Sequence, residues 1–349
     1  MITDQQVLNA LSKVIDPELG KDLVSLNMIK DIKVEGEKVN FSLVLTTPAC
    51  PLRNQIEAAA KQAILAVPGV KNVNIKVESQ VPNRQSNSNL LNLPINYIIA
   101  VGSGKGGVGK STVAVNLAIA LSQSGAKVGL LDADIYGPNI PKMLGIAELP
   151  QQSGQKLLPA EAFGIKIMST GFLVKKDQPL IWRGPLLHSI IRQFFEDVLW
   201  NELDYLVVDL PPGTGDVQLS LSQIVPISGG VIVTTPQEVS IEDAGRALVM
   251  YQKLNIPVLG VIENMGSFIL PDGSHLDIFG IGGGKKLADS FRVPFLGSIE
   301  LDPKIREGGD KGVPLIIEDS QSRPAREMRK IAGEIAGKLS IQSFTSIKE

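Results

Sequence analysis

The sequence holds a single cysteine, Cys50, and only two histidines in 349 residues. One thiol excludes an internal disulfide and any metal site made of several thiolates of the same chain, and it suits a reducing compartment. Charge of one sign is also missing. Lys and Arg number 34 against 36 Asp and Glu, a formal net charge of -2, and the basic residues are spread along the chain, so there is no strong positive field for nucleic acid. No apolar run reaches the roughly 18 residues that a bilayer span needs. The N-terminal stretch MITDQQVLNALSKVIDPELG has no basic segment followed by a continuous apolar one. These absences lead us to expect a soluble, non-secreted, cytoplasmic protein that binds neither nucleic acid nor membrane.

With 44% hydrophobic residues, the chain is long enough for two domains. Residues 79–94, SQVPNRQSNSNLLNLP, are rich in Ser, Asn, Gln and Pro and read as a linker. Residues 1–78 carry an apolar helix pattern at Val7, Leu8, Leu11, Val14 and Ile15, then the alternating run VNFSLVL, a helix around Gln55 to Ala66 and a strand VNIKV, which together predict a small α+β domain. In residues 95–349 the short apolar runs YIIAVG, KVGLLDAD, YLVVDL, GVIVTT and PVLGVIEN alternate with helical stretches. That order predicts an α/β fold, a mostly parallel sheet with helices on both faces and ligands beyond the carboxyl ends of the strands. A last helix, Arg326 to Leu339, places Met328, Ile331, Ala332, Ile335, Ala336 and Leu339 at helical spacing; its other positions mix both charges, a pattern that packs on a core rather than on lipid.

The stretch GSGKGGVGKST, residues 102–112, satisfies G-x4-G-K-[ST] from Gly104 to Ser111 and lies between a strand and an amphipathic helix. Its glycines let backbone N–H groups turn toward phosphate oxygens at a helix N-terminus. Lys110 is expected to reach the β and γ phosphates and the Ser111 hydroxyl to ligate Mg²⁺. Asp209 ends the strand run YLVVDL, where a carboxylate holds the magnesium through water, and Gly213 and Gly215 give the following loop freedom to respond to the γ phosphate. Asp132 and Asp134 follow another strand, and alternation puts both on one side of the chain. Asp134, further out toward the loop, is the one expected to orient the attacking water. The glycine run GIGGGKK, residues 280–286, could bind an anion or simply enter a helix.

These residues carry a resemblance. KGGVGKS, with its early lysine, is similar to the deviant Walker A loop of the ATPases that include MinD, ParA and the nitrogenase iron protein. DADIYGPNIPKMLG, WRGP at Trp182 and Arg183, DYLVVDLPPGTGDVQLSLSQ, VTTPQEVS and GVIENMGSF resemble, more narrowly, the Mrp family of iron–sulfur cluster carriers. DPELGKDLVSLNMI and LTTPACPL resemble the small iron–sulfur assembly domain found at the front of many of its members. The resemblance implies a P-loop NTPase fold and ATP with Mg²⁺ bound by Gly104, Lys105, Gly106, Gly107, Val108, Gly109, Lys110, Ser111 and Thr112. It also implies that Asn264 reads adenine, and that in a homodimer Lys105 crosses to the partner's phosphates, supplying charge in trans as an arginine finger does. Clients would be apoproteins or other assembly proteins.

One family feature is missing. Where C-x-x-C would follow the ENM segment, this chain has Leu270 and Gly273, and neither ligates iron. His275 and Asp277 lie close by but read as surface residues. Glu300, in GSIELDP, stands where the family usually has Pro, so no base contact is assigned there. Cys50, just before a helix whose first turn would lower its pKa, reads either as a transient iron–sulfur contact or as a small buried hydrophobe. The alternative to a carrier is a nucleotide-switched adaptor, or a MinD- or ParA-like positioning ATPase without a cluster.

Overall fold

The computed structural model describes residues 2–81, 90–147, 150–172 and 184–346, with the backbone alone for 184–186 and 344–346. The chain divides into two compact units, Met1–Asn83 together with Ala336–Glu349, and Arg84–Ile335. Trp182 and Arg183, and the middle of the 79–94 segment, lie outside the described residues. At the ends of that segment Gln80 N–H donates to the Leu45 carbonyl and Leu91 N–H to that of Ile224.

In the first unit, Thr3 starts helix α1 (Asp4–Leu11): its hydroxyl accepts from Gln6 N–H while the Gln6 side chain accepts from Thr3 N–H. The apolar period continues to Ile15, but the helix stops at Ser12 and Ile15 is 53% exposed. Pro17 disfavours helical backbone at the residue before it, and the Asp16 carboxylate accepts from the N–H groups of Glu18 and Leu19, closing a turn between short paired strands, Ile15–Asp16 and Lys21–Asp22. Strand β1 (Ile29–Glu35) pairs antiparallel with β2 (Lys38–Leu45), and β2 pairs in parallel with β3 (Asn72–Ser79). Helix α2 (Arg53–Leu65) buries Ile56, Ala60 and Ile64, one face at i, i+4 and i+8, in a core with Val7, Leu11, Leu43 and Leu45. Ala336 and Leu339 are fully buried, and in this unit the Ser340 hydroxyl donates to Thr46 Oγ1 at 2.6 Å.

The second unit is built on an eight-stranded sheet. Its strands are β4 (Ile95–Ser103), β5 (Val128–Asp132), β6 (Ala160–Ala162), β7 (Ile165–Ser169), β8 (Leu203–Asp209), β9 (Gly229–Thr234), β10 (Val258–Glu263) and β11 (Phe295–Ser298), in the order β6-β7-β5-β8-β4-β9-β10-β11. Every pairing is parallel except that of β6 with β7. The expected mostly parallel sheet is therefore present, and strand order reverses at β4, the position from which such sheets bind ligands. Helix α3 (Lys110–Gln123) is not the amphipathic helix expected: it buries every residue from Val113 to Leu121, all apolar but Asn116, as a helix apolar on nearly all sides does. Each fully buried Leu or Ile here contributes about 1.5–3 kcal/mol of transfer free energy. Trp200 is buried as well and satisfies its indole N–H on the carbonyl of Phe194, in helix α5 (Gly184–Glu196), at 2.8 Å.

Register positions the site. Asp209 of β8 is level with Asp132 of β5 on one side and Val101 of β4 on the other, and Asp132 is level with Ser169 of β7. One row across four carboxyl ends thus brings the acidic residues beside the loop that leaves β4. The final helix (Arg323–Ser346) buries Met328, Ile331, Ala332 and Ile335 in this unit, as its spacing predicts. Among the described residues no helix is long and apolar enough to cross a membrane.

Candidate functional site

The glycine loop runs from the end of β4 to the start of α3. Gly109 has φ +78°, open to glycine and strained for other residues, and a Cβ there would lie 2.1 Å from the Asn264 amide nitrogen. A Cβ on Gly104 would lie 2.1 Å from the Asp243 carbonyl carbon, inside the backbone of helix α7 (Glu238–Lys253). Gly104 is required because helix backbone fills the space a side chain would take, and Gly109 because of its positive φ.

Lys110, 6% exposed, turns back from the head of α3 onto the row of carboxylates: its Nζ lies 2.8 Å from Asp209 Oδ1 and 3.5 Å from Asp134 Oδ2. The Ser111 hydroxyl donates to the other Asp209 oxygen at 2.6 Å. Burial raises the Asp209 pKa, and the Lys110 ammonium opposes that rise. Lys105 has no ion pair among the described residues, and its side chain is half-buried at the loop's outer edge, where Gly106 and Gly107 are exposed.

The two aspartates of LLDAD separate. Alternation ends with β5 at Asp132, so they do not share a partner. The Asp132 carboxylate accepts from the Ser169 hydroxyl at 2.8 Å and from the N–H groups of Asp134 and Ile140, bracing the loop that leads into helix α4 (Ile140–Met143). Burial and the neighbouring Asp209 push its pKa up to about 7. Asp134 is the one that faces Lys110.

The cleft in front of the loop has a volume of about 500 Å³. It is lined by Lys105, Lys110, Ser111, Asp134 and Asn264, and also by Glu300, Leu301, Asp302, Ile305 and Arg306. Asn264 donates from its side-chain nitrogen to the Val108 carbonyl at 2.9 Å, tying the glycine loop to the end of β10. The wall at 300–306 was not assigned from sequence, because Glu300 departs from the expected Pro; β11 carries it to the cleft whatever residue stands there. Gln218 was missed too. Its amide donates to the carbonyls of Pro211 and Gly213 and accepts from Gly215 N–H, fixing the loop after Asp209. A Gln three residues after Gly215, in the first turn of helix α6 (Asp216–Ile224), was the available signal.

Residues 94–336 match the family model described as the NUBPL iron-transfer P-loop NTPase. The chain belongs to this family. Residues 4–77 match a second model, iron–sulfur cluster assembly protein. A protein of Synechocystis named iron–sulfur cluster carrier protein is 52% identical over 352 residues, covering 99% of this chain and 100% of the relative. A nucleotide-binding protein of Archaeoglobus fulgidus, solved in complex with ADP, is 39% identical with a TM-score of 0.57, covering 66% of this chain and 90% of that one. The cell division ATPase MinD of Pyrococcus furiosus, 23% identical with a TM-score of 0.53 over 68% of this chain and 98% of its own, shares the fold.

Two expectations outside the cleft change. Cys50 does not have a lowered pKa. Helix α2 begins at Arg53, three residues on, and burial pushes the thiol up to about 11, with Glu18 and Asp16 adding to the rise. It packs against the first unit's apolar core as a protonated side chain. Leu270 and Gly273 lie in a small hairpin (Phe268–Ile269 with His275–Leu276), where Gly273 turns with φ +85° and His275 is exposed. Asp277 accepts from the Ser267 hydroxyl. Among the described residues no three His, Cys, Asp or Glu side chains gather into a metal site.

Proposed function

We propose that the chain is an ATP-hydrolysing iron–sulfur cluster carrier that works as a homodimer with nucleotide between its subunits and delivers clusters to apoproteins in the cytoplasm. One observation carries this reading: Lys110 and Ser111 both meet Asp209 at the mouth of the glycine loop, with Asp134 beside them and Lys105 unpaired. The full-length likeness to the Synechocystis carrier supports the cargo.

In this reading the loop N–H groups from Gly104 to Thr112 cradle the phosphates, and Lys110 leaves Asp209 for the β and γ phosphate oxygens. Ser111 Oγ and the Asp209 carboxylate are hard oxygen donors that fit Mg²⁺, with water and phosphate oxygens filling the remaining positions. When bound, Mg²⁺ offsets phosphate charge. Asp134 orients the attacking water. Asn264 keeps one amide N–H on Val108, so its second N–H and its oxygen remain for the adenine edge. Lys105 enters the partner's site, which makes turnover depend on dimerisation.

The cluster is cargo, and the one thiol this chain offers per copy, Cys50, gives up its proton to bind it. Two copies bring two, and a donor or client protein supplies the remaining ligands. Leu270 and Gly273 favour an adaptor without cluster, but the carrier names of the full-length relatives do not. Likeness to MinD extends to the fold alone and lends nothing to a positioning role. Anaerobic reconstitution, with iron counted and absorbance recorded for the unaltered chain and Cys50→Ser, tests the cargo. Iron bound by the unaltered chain and reduced in Cys50→Ser is the expected result; no iron in either overturns the carrier reading.

A further inference from the structure

The glycine run 280–286 is not an open anion site, because an internal carboxylate already occupies it. Glu263, the last residue of β10 and 1% exposed, accepts from Gly284 N–H at 2.7 Å and from Gly282 N–H at 3.3 Å. It thereby caps helix α8 (Gly283–Phe291), whose own N-cap, Gly282, has no side chain to do so. Its Oε1 also accepts from the Ser298 hydroxyl at the end of β11, at 3.0 Å, and its backbone carbonyl accepts from Ile299 N–H at 2.8 Å. Gly266 N–H returns the tie to the Ile299 carbonyl. A Cβ on Gly284 would lie 2.8 Å from Glu263 Cβ, so the fit is close.

The carboxylate stands one residue before Asn264, whose side chain holds the glycine loop, and it fastens the strand that delivers Glu300, Leu301 and Asp302 to the cleft. Asn264 and the 300–302 wall therefore both depend on one side chain that does not itself line the cleft. We propose that Glu263 is a positioning residue for nucleotide selection: it fixes the spacing between Asn264 and the 300–302 wall, and so sets affinity for the base rather than the rate of phosphoryl transfer. This rests on the nucleotide reading above. In that reading the chemical step rests on Lys105, Lys110 and Asp134, none of which is hydrogen-bonded to Glu263, so the two effects are separable.

Glu263→Gln tests it. The amide keeps the shape but turns an N–H₂ toward a site where Gly282 and Gly284 offer only N–H donors and the Ser298 hydroxyl alone can turn to accept, so at least one contact is lost. With the full chain, steady-state ATPase kinetics and equilibrium binding of ATP and GTP are measured for the unaltered protein, Glu263→Gln and Ser298→Ala. Glu263→Gln is expected to raise the KM for ATP about tenfold, leave kcat within about twofold and reduce the preference for ATP over GTP about tenfold, the scale of one lost charged hydrogen bond. Ser298→Ala is expected to move both quantities the same way by about threefold, since it removes one donor and keeps the carboxylate. A Glu263→Gln protein that melts earlier but keeps the KM and the ATP-to-GTP ratio contradicts the proposal, because a purely structural role would do just that. Should Glu263→Gln not fold, unchanged KM and ratio in Ser298→Ala overturn it. If the unaltered chain binds no nucleotide, the underlying reading falls and this inference with it; binding by the unaltered chain with unaltered variants removes this inference alone.

Discussion

Lys110 Nζ lies 2.8 Å from Asp209 Oδ1, and both side chains are almost wholly withdrawn from water. The lysine is the only cation in contact with that carboxylate among the described residues, so it stands where an incoming cation and phosphate would compete for the same oxygens. Removing one member of a buried pair leaves the other uncompensated, at a cost of about 3–5 kcal/mol. Urea unfolding of Lys110→Ala should show a loss of this size near pH 8 and a smaller one near pH 5, where Asp209 more readily takes up a proton. Adding Asp209→Asn should recover most of the stability. A Lys110→Ala protein as stable as the unaltered chain would mean that the pair carries little of the fold.

Asp132 gives stability a pH dependence. Its folded pKa is raised to about 7 from an ordinary value of 3.8, so the folded state holds a proton that the unfolded state has already released. The contribution is complete below the unfolded value and is lost as pH rises through about 7. Denaturation midpoints measured between pH 4 and 8 should therefore fall less steeply for Asp132→Asn than for the unaltered chain; equal slopes would place the ionisation elsewhere.

Tyr251 is fully buried on α7, and its hydroxyl has no hydrogen-bond partner among the described residues. Tyr251→Phe removes an unsatisfied polar group and should leave stability unchanged or raise it by about 1 kcal/mol. A Cβ on Gly102 would sit 2.4 Å from that hydroxyl oxygen, so Gly102→Ala should cost about 1–3 kcal/mol by overpacking. The double variant should recover more than half of that cost. Additive effects in thermal unfolding would show that the two sites do not touch.

Cys50, with its pKa near 11, should alkylate slowly. At pH 7.5 its thiolate fraction is roughly a hundredfold below that of an unperturbed thiol, and its iodoacetamide rate in the native chain should keep rising beyond pH 9.5. A rate that levels off below pH 8 would restore the depressed pKa that the helix position had led us to expect.

Much of the second unit was legible because its signals are local and redundant. The strand runs, the glycine loop and Asp209 each announce themselves within a few residues, and the parallel sheet follows from their alternation. What stayed hidden depends on register between distant strands. Nothing near Ser169 in sequence indicates that it meets Asp132, and only the pairing of β10 with β11 brings Ser298 to Glu263. Ile15 was misjudged because apolar spacing continued past a turn that Asp16 and Pro17 impose. Of the two readings left open for Cys50, the structure favours the small buried side chain, because proximity to a helix start in sequence says nothing about burial, and burial governs its pKa.

Lys105 carries the central claim, because a cation that acts on the partner's phosphates makes hydrolysis a property of the dimer. The direct measurement is ATP turnover and ATP affinity of Lys105→Ala, followed across protein concentration beside the unaltered chain. The unaltered chain should show specific activity that rises with its own concentration, and Lys105→Ala should bind ATP with affinity within about threefold while losing about 10³-fold or more in turnover. Turnover by Lys105→Ala equal to that of the unaltered chain, or specific activity independent of concentration in a protein that stays monomeric with ATP bound, would contradict the account.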